Sequence, residues 1–214
     1  MNFLQLVRRT MSECGASGGA LPTVIGQTGE AARFVGWVVS AWDAIQLAHP
    51  NWNWMRDDFS FTTATGVATY TPALSGIATR FGSWDGHSIQ CDGSDMSWFD
   101  YPTFRTASRL STTQSRPFIA ATKSIDLSLS PTPSGAFTIS GEYFKSPQTL
   151  ALDADVPEMP DRFHLAIVYQ AMKYYARYEA AGEVMVAAEK DYKSILRKLE
   201  IDQLPSIEFA SALA

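Results

Sequence analysis

The hydrophobic period of this chain changes twice, and those two changes restrict the fold more than any motif does. Up to Pro50 the apolar residues recur at helical spacing, from Phe59 to Tyr143 they largely alternate, and from Pro160 the helical spacing returns. Helix, then strand, then helix, without an internal repeat or a convincing linker, reads as an α+β fold. The expected arrangement is a helical bundle formed by the N- and C-terminal helices, with a central antiparallel β-sheet or β-sandwich insertion. By residue this places the bundle at 1–55 and 159–199, the β region at 56–158 and an extended C-terminal tail at 200–214.

Local signals support the first helical part. Asn2 and Gln5 have the spacing of a capping box, with Phe3, Leu4, Val7 and Met11 following at helical intervals toward a stop near Cys14-Gly15. The stretch GASGGALPT reads as a loop. Thr28 is a candidate N-cap for a second helix, with Glu30 in its first turn, where the helix dipole favours a carboxylate. Phe34, Val38, Ala41, Trp42 and Ile45 then keep a helical stripe, yet Val35, Trp37 and Val39 lie off it and are apolar too. A helix apolar around most of its girth needs cover on more than one side, and a second subunit can supply it. Pro50 ends that helix, and Trp52 and Trp54 follow at strand-like spacing.

In the middle of the chain, Phe59, Phe61, Val67 and Thr69 flank a Thr65-Gly66 turn and read as one hairpin. Ile125, Leu127 and Leu129 alternate before a turn at Pro131 to Gly135, and Phe137, Ile139 and Tyr143 alternate after it, as a second hairpin. Between the two, Ser88 to Cys91 is a candidate strand and Tyr101 to Leu110 a candidate short helix. Pro160 suits a first helical position; Phe163, Ile167, Ala171, Tyr174, Tyr175 and Tyr178 continue from it. Gly182 separates this helix from another carrying Val184, Ala188, Tyr192, Ile195 and Leu199. Tyr174 and Tyr175 are sequence neighbours and cannot both face one core, so one is expected against another element or chain.

Composition excludes several classes. Hydrophobic residues make up 46% of 214 residues and charged ones 18%, which is incompatible with intrinsic disorder. A net charge of −5 argues against a chain that coats nucleic acid. No apolar run approaches the length of a membrane helix, and MNFLQLVRRTMSECG does not read as a signal peptide. Cys14 and Cys91 form neither a disulfide framework nor a metal spacing.

Catalytic patterns are also missing. The glycine-rich loop lacks the Lys-Ser/Thr of a P-loop, and no GxSxG elbow occurs. None of His49, His87 and His164 has a helical metal-ligand partner, and His49 suits the negative end of the helix dipole. Asp57-Asp58 and Asp92-Asp95 are acidic pairs in loops, where solvated carboxylates are usual. No catalytic, cofactor-binding or metal-binding residue is therefore assigned. The basic residues Lys173, Arg177, Lys190, Lys193, Arg197 and Lys198 interleave with Glu179, Glu183, Glu189 and Asp191, as on a solvated helix face.

The succession GALPTVIGQTGEAARFVGWVVSAWDAIQLAHPNWNWMRDDFSF, a β region, LSLSPTPSGAFTISGEYFKSP, and MPDRFHLAIVYQAMKYYARYE before a last helix resembles the head-to-tail adaptor (connector) proteins of tailed bacteriophages, particularly podovirus-like ones. The helix with Glu30, Trp37, Ala41 and Ile45, the Pro131-Thr132-Pro133 turn and the helix from Met159-Pro160 carry the likeness, over about two-thirds of the chain. The stretch from Leu74 to Arg116 matches nothing recognisable in that pattern.

What the resemblance implies is a structural virion protein without catalytic turnover, made in the host cytoplasm and located in the neck between capsid portal and tail. Its copies would form a dodecameric ring under the portal, extend the DNA channel and present an attachment surface to tail tube, nozzle or fibre proteins. DNA would be a non-specific passenger. Trp37, Val39, Trp42 and Tyr174 are the candidates for inter-subunit packing, and Leu204, Ile207 and Phe209 for docking on the portal. A different reading is a β-sandwich module of a tail or fibre that binds carbohydrate or a receptor. Trp84, Trp98, Phe99 and Tyr101 would form its stacking platform, beside Asp92, Asp95 and Asp100. A hydrolase of unknown type is a third reading.

Overall fold

The computed structural model describes residues 1–16, 21–110 and 113–205. In chain order the first elements are α1 (Phe3–Glu13), α2 (Gly29–Ala48), β1 (Arg56–Thr62), β2 (Thr69–Tyr70), β3 (Phe81–Trp84), β4 (Gln90–Cys91), β5 (Ser94–Asp95) and β6 (Ser97–Trp98). Then come α3 (Tyr101–Leu110), β7 (Ile119–Lys123), β8 (Asp126–Ser130), β9 (Thr138–Lys145), α4 (Leu165–Tyr178) and α5 (Gly182–Gln203). The fold class is α+β, with helices from both ends of the chain and the sheets between them in sequence. The chain divides into a helical unit, Met1–Trp54 with Pro147–Ala214, and a β unit, Met55–Ser146.

In the helical unit most local signals act as the sequence suggests. Asn2 and Gln5 form a reciprocal capping box at the start of α1, which buries Phe3, Leu6, Val7, Thr10 and Met11. α2 buries the stripe Phe34, Val38, Ala41, Trp42 and Ile45. α4 packs against α1, α2 and α5 and contributes Ala166, Ile167, Val168, Ala171 and Ala176; its small side chains let three neighbours approach. Gly182 opens α5 after Ala180 turns through a left-handed conformation, φ 53°. Four details differ from the expectation. Thr28 precedes α2 without a side-chain capping bond, and Pro160 leads into a 3-10 turn, Asp161–Phe163, with α4 starting only at Leu165. Trp52 and Trp54 flank and enter a short 3-10 turn, Asn53–Met55, with their rings stacked 4.3 Å apart, so their spacing is not that of a strand. α5 continues to Gln203, beyond the Leu199 boundary, and Leu204 is its C-terminal cap.

The β unit holds two sheets. One has the order β1-β9-β4-β5, with β3 also on β9; the other has the order β2-β8-β7-β6, in which only β6-β7 is parallel. Neither expected hairpin forms. β1 pairs with β9 from Arg56↔Phe144 to Thr62↔Thr138, and β2 pairs with β8 through Thr69↔Ser128 and Tyr70↔Leu127. The alternation was read correctly but the partners were not. The corner after β1 and the corner before β9 are bonded to each other: the Thr63 N–H donates to Phe137 O at 2.9 Å, the Thr63 hydroxyl to Gly135 O at 2.9 Å, and the Gly66 N–H to Pro133 O at 2.9 Å. Both connections pass together from one sheet to the other, so each strand finds its mate across the chain. The hairpin that does form is β7-β8, closed by Ser124 and Ile125 with Ser124 at φ 60°, a turn without glycine or proline to announce it. The core of this unit gathers Phe59, Tyr70, Trp84, Ile89, Leu127, Leu129 and Ile139.

Candidate assembly surface

The helical unit presents the residues proposed for subunit packing, and the structure separates them. Trp42 has 0% exposure and faces the interior of its own subunit, with no partner on its indole N–H. As a contact to a neighbouring copy it is a correction: a residue on the Phe34–Ile45 stripe is used up by the core. Trp37 is half-buried in an aromatic cluster of the same chain, with centroids 5.0 Å from Phe34, 5.9 Å from Tyr175 and 5.7 Å from Tyr178. Arg33 lies 4.6 Å over the Tyr178 ring and closes the cluster. Val39 is half-buried on α2.

The neighbouring tyrosines of α4 part company. Tyr175 stacks on Phe34 at 5.5 Å, while Tyr174 accepts a hydrogen bond from Gln170 Nε2 at 3.2 Å and carries Arg177 5.4 Å from its ring. Trp37 is thus brought to Tyr175 and Tyr178, on the α2 side of α4.

Exposed on α2 are Gly36, Ser40 and Leu47, with Gly29, Glu30 and Arg33 toward its start and Ala48 at its end, and half-buried Ala32, Val39 and Asp43 lie beside them. Leu47 is 71% exposed, and a Cβ added to Gly36 would meet nothing within 4 Å. The charged side chains here are Glu30, Arg33 and half-buried Asp43, whose carboxyl burial pushes above the usual range. Sequence reasoning missed Leu47, although its position off the buried stripe is legible in the helical spacing. α5 adds exposed Val186 and Ile201, at 70% and 75%, on the face that also carries Lys190, Lys193 and Arg197. Lys193 pairs with Glu189 at 2.7 Å. His49 bonds Glu200 at 3.0 Å and joins the ends of α2 and α5, a more specific role than a dipole partner. Leu204 is half-buried, while Ile207 and Phe209 lie outside the described residues.

The residues that could carry chemistry are tied into the fold. Burial and Glu13 push the Cys14 thiol up to about 12, and burial raises Cys91, so both stay protonated and poorly nucleophilic at neutral pH. Asp92 accepts from the Thr138 N–H at 2.8 Å and Asp95 from Gln90 at 2.9 Å. Among the described residues no group of three or more His, Cys, Asp or Glu could hold a metal ion, and no helix is long and apolar enough to cross a membrane. The stacking platform of the carbohydrate reading is not assembled either. Trp84 is 7% exposed and donates its indole N–H to Ile125 O at 2.9 Å, and the Trp98 ring is packed over Gly86. Those faces are spent on the core.

Residues 1–210 match the family model described as SU10 adaptor protein, and the chain belongs to that family. It is a bacteriophage structural protein, an adaptor of the head-to-tail class. No curated protein matches the chain.

Proposed function

We propose that copies of this adaptor form a dodecameric ring beneath the phage portal, extend the DNA channel and give tail components their attachment surface, without catalytic turnover. The observation that supports the ring is α2. This helix of 20 residues buries Phe34, Val38, Ala41, Trp42 and Ile45 and leaves Gly36, Ser40 and the 71% exposed Leu47 outward, with exposed Glu30 and Arg33 nearer its start. Small and apolar residues between Gly36 and Leu47 on a rigid helix allow close approach of another chain. Val39 and Tyr174 border candidate contact faces, while Trp37 acts by shaping its own subunit. The overall charge of −5 suits a channel that DNA passes without being gripped. Leu204, with Ile207 and Phe209 beyond it, is the segment we assign to the portal. The virion neck is the location this role requires.

The test is to mix the purified chain with purified portal assemblies and image the product by electron microscopy. A ring of added density on one face of the portal is expected for the full chain, with reduced attachment for a chain ending at Pro205. Absence of any portal-bound density contradicts the proposal, and undiminished attachment of the shortened chain removes the docking role of Ile207 and Phe209.

A further inference from the structure

The β unit carries a feature that the adaptor reading leaves unexplained. Strand β8 reads Asp-Leu-Ser-Leu-Ser, and its two faces have opposite chemistry. Leu127 and Leu129 enter the core, so Ser128 and Ser130 point the other way, where an ordinary sheet would meet solvent. Instead α3 covers that face. The neighbouring strand follows the same division, because Ala121 lies opposite Ser128 and Ile119 opposite Ser130 in the register. Ile119 and Ala121 close an apolar contact with Phe104 of α3. Beside this contact the face is hydroxylated and a cavity of about 220 Å³ opens.

Thr69, Ser128 and Ser130 line this cavity from the sheet, Tyr101 and Ser108 line it from α3, and Lys123 stands at its edge. Ser128 and Ser130 are only 5% and 3% exposed, and both line the cavity. With Thr69, Ser108 and Thr132 they give the cavity a row of hydroxyls that can donate to or accept from a polar guest. The volume corresponds to about seven waters at roughly 30 Å³ each, below the range of drug-sized pockets, so the guest has the size of a single ring.

Charge narrows the chemistry. Among the described residues no carboxylate lines the cavity and its one charged group is the Lys123 ammonium, 5.9 Å from the Tyr101 ring centroid, with Asp126 opposite Lys123 in the β7-β8 register beside the site. α3 contains Arg105 and Arg109 and no acidic residue, and Arg105 is exposed one turn after Tyr101. Hydroxyls that donate to ring oxygens, an aromatic side chain for a ring face and an ammonium for an anionic group form one recognition set. We infer that this cavity binds an acidic monosaccharide unit, a hydroxylated ring bearing a carboxylate or phosphate. It differs from the aromatic platform considered for sugar binding, sharing only Tyr101, and it depends on hydroxyls that the strand alternation had hidden.

The experiment is saturation-transfer NMR on the full chain in phosphate-free buffer, titrated separately with sodium D-glucuronate, D-glucose 6-phosphate, D-glucose and inorganic phosphate. Saturable binding of at least one acidic sugar is expected, with neutral glucose weaker. Lys123→Gln should weaken it at least about tenfold, the cost of one charged hydrogen bond, and Ser128→Ala, Ser130→Ala should weaken it further. Lys123 is exposed, so its replacement leaves the fold intact, and an unchanged melting temperature checks this. Response to glucuronate but not the phosphosugar, or the reverse, identifies the acidic group. Binding of inorganic phosphate alone overturns the sugar assignment. No saturable binding, or binding indifferent to Lys123→Gln, overturns the site.

Discussion

Trp42 and His164 show how much can depend on one side chain in this protein. Trp42 has no exposed surface, and removing an indole of that size leaves a cavity that close-packed helices cannot fill. Trp42→Ala should cost about 3–5 kcal/mol of unfolding free energy, read from urea titrations. A shift below about 1 kcal/mol would show that the α2 core is elsewhere. His164 is also fully buried, and its Nε2–H donates to Met159 O at 3.0 Å. The Met1 amino group lies 2.6 Å from Nδ1, and the Asp161 carboxylate lies 3.4 Å from Nε2. Burial lowers the imidazole's pKa from its ordinary 6.5, against the Met159 carbonyl and Asp161, which favour the charged form. The unfolded chain therefore takes up the proton first. This group's contribution is full above about pH 6.5 and is lost as pH falls below it toward the folded value. Urea midpoints at pH 7.5 and 5.5 should differ, with the lower one at pH 5.5, and His164→Gln should narrow the difference. An unaltered difference in the variant would assign the pH dependence to other groups. The burial of Trp42 was legible in the helical spacing; that of His164 was not, because it depends on Met1 and Met159 meeting around the ring.

At the scale of elements, the helices were legible and the strand partners were not. Asn2 and Gln5 specify the start of α1 within one turn, and Tyr101–Leu110 is a helix in the structure as the sequence suggests. Such signals are local. The strands of this chain alternate as half-buried strands should, yet β1 finds β9 about 80 residues away and β2 finds β8. A corner held by Thr63 and Pro133 decides that pairing, and no spacing within either segment reveals it. Trp84 was misplaced for the same reason, since its cover comes from Phe59 and Tyr143 across the sheet. The loop after β3 carries a sharp constraint: a Cβ on Gly86 would lie 2.2 Å from Trp98 Cδ2. Gly86→Ala should destabilise the β unit by about 1–3 kcal/mol through overpacking, with a changed Trp fluorescence. A variant as stable as the parent would mean that the Trp98 ring has another place to go.

On the scale of the whole molecule, family membership and the form of α2 lead to one account: an adaptor that becomes functional by packing against copies of itself. That its middle region is β structure and its ends are helical could be read from the sequence, as could its likeness to phage adaptors. The exposed face proposed for assembly was legible only in part from the helical spacing. The apolar girth of α2 pointed to a second contact, but Trp42 is buried in its own subunit and Trp37 packs on Phe34, Tyr175 and Tyr178, while Gly36, Ser40 and Leu47 are among the residues left outward. Large aromatic residues draw the eye in a sequence, and a folded core draws them in first. The most direct test is Gly36→Arg. Its Cβ meets nothing within 4 Å, and arginine is a better helix former than glycine, so the folded subunit should melt at the same temperature or slightly higher. The measurement is the fraction of portal assemblies carrying a ring of this variant, counted by electron microscopy against the parent chain. The account predicts that rings are lost while the subunit stays folded. Rings formed at the parental frequency would contradict it and move the subunit interface away from α2.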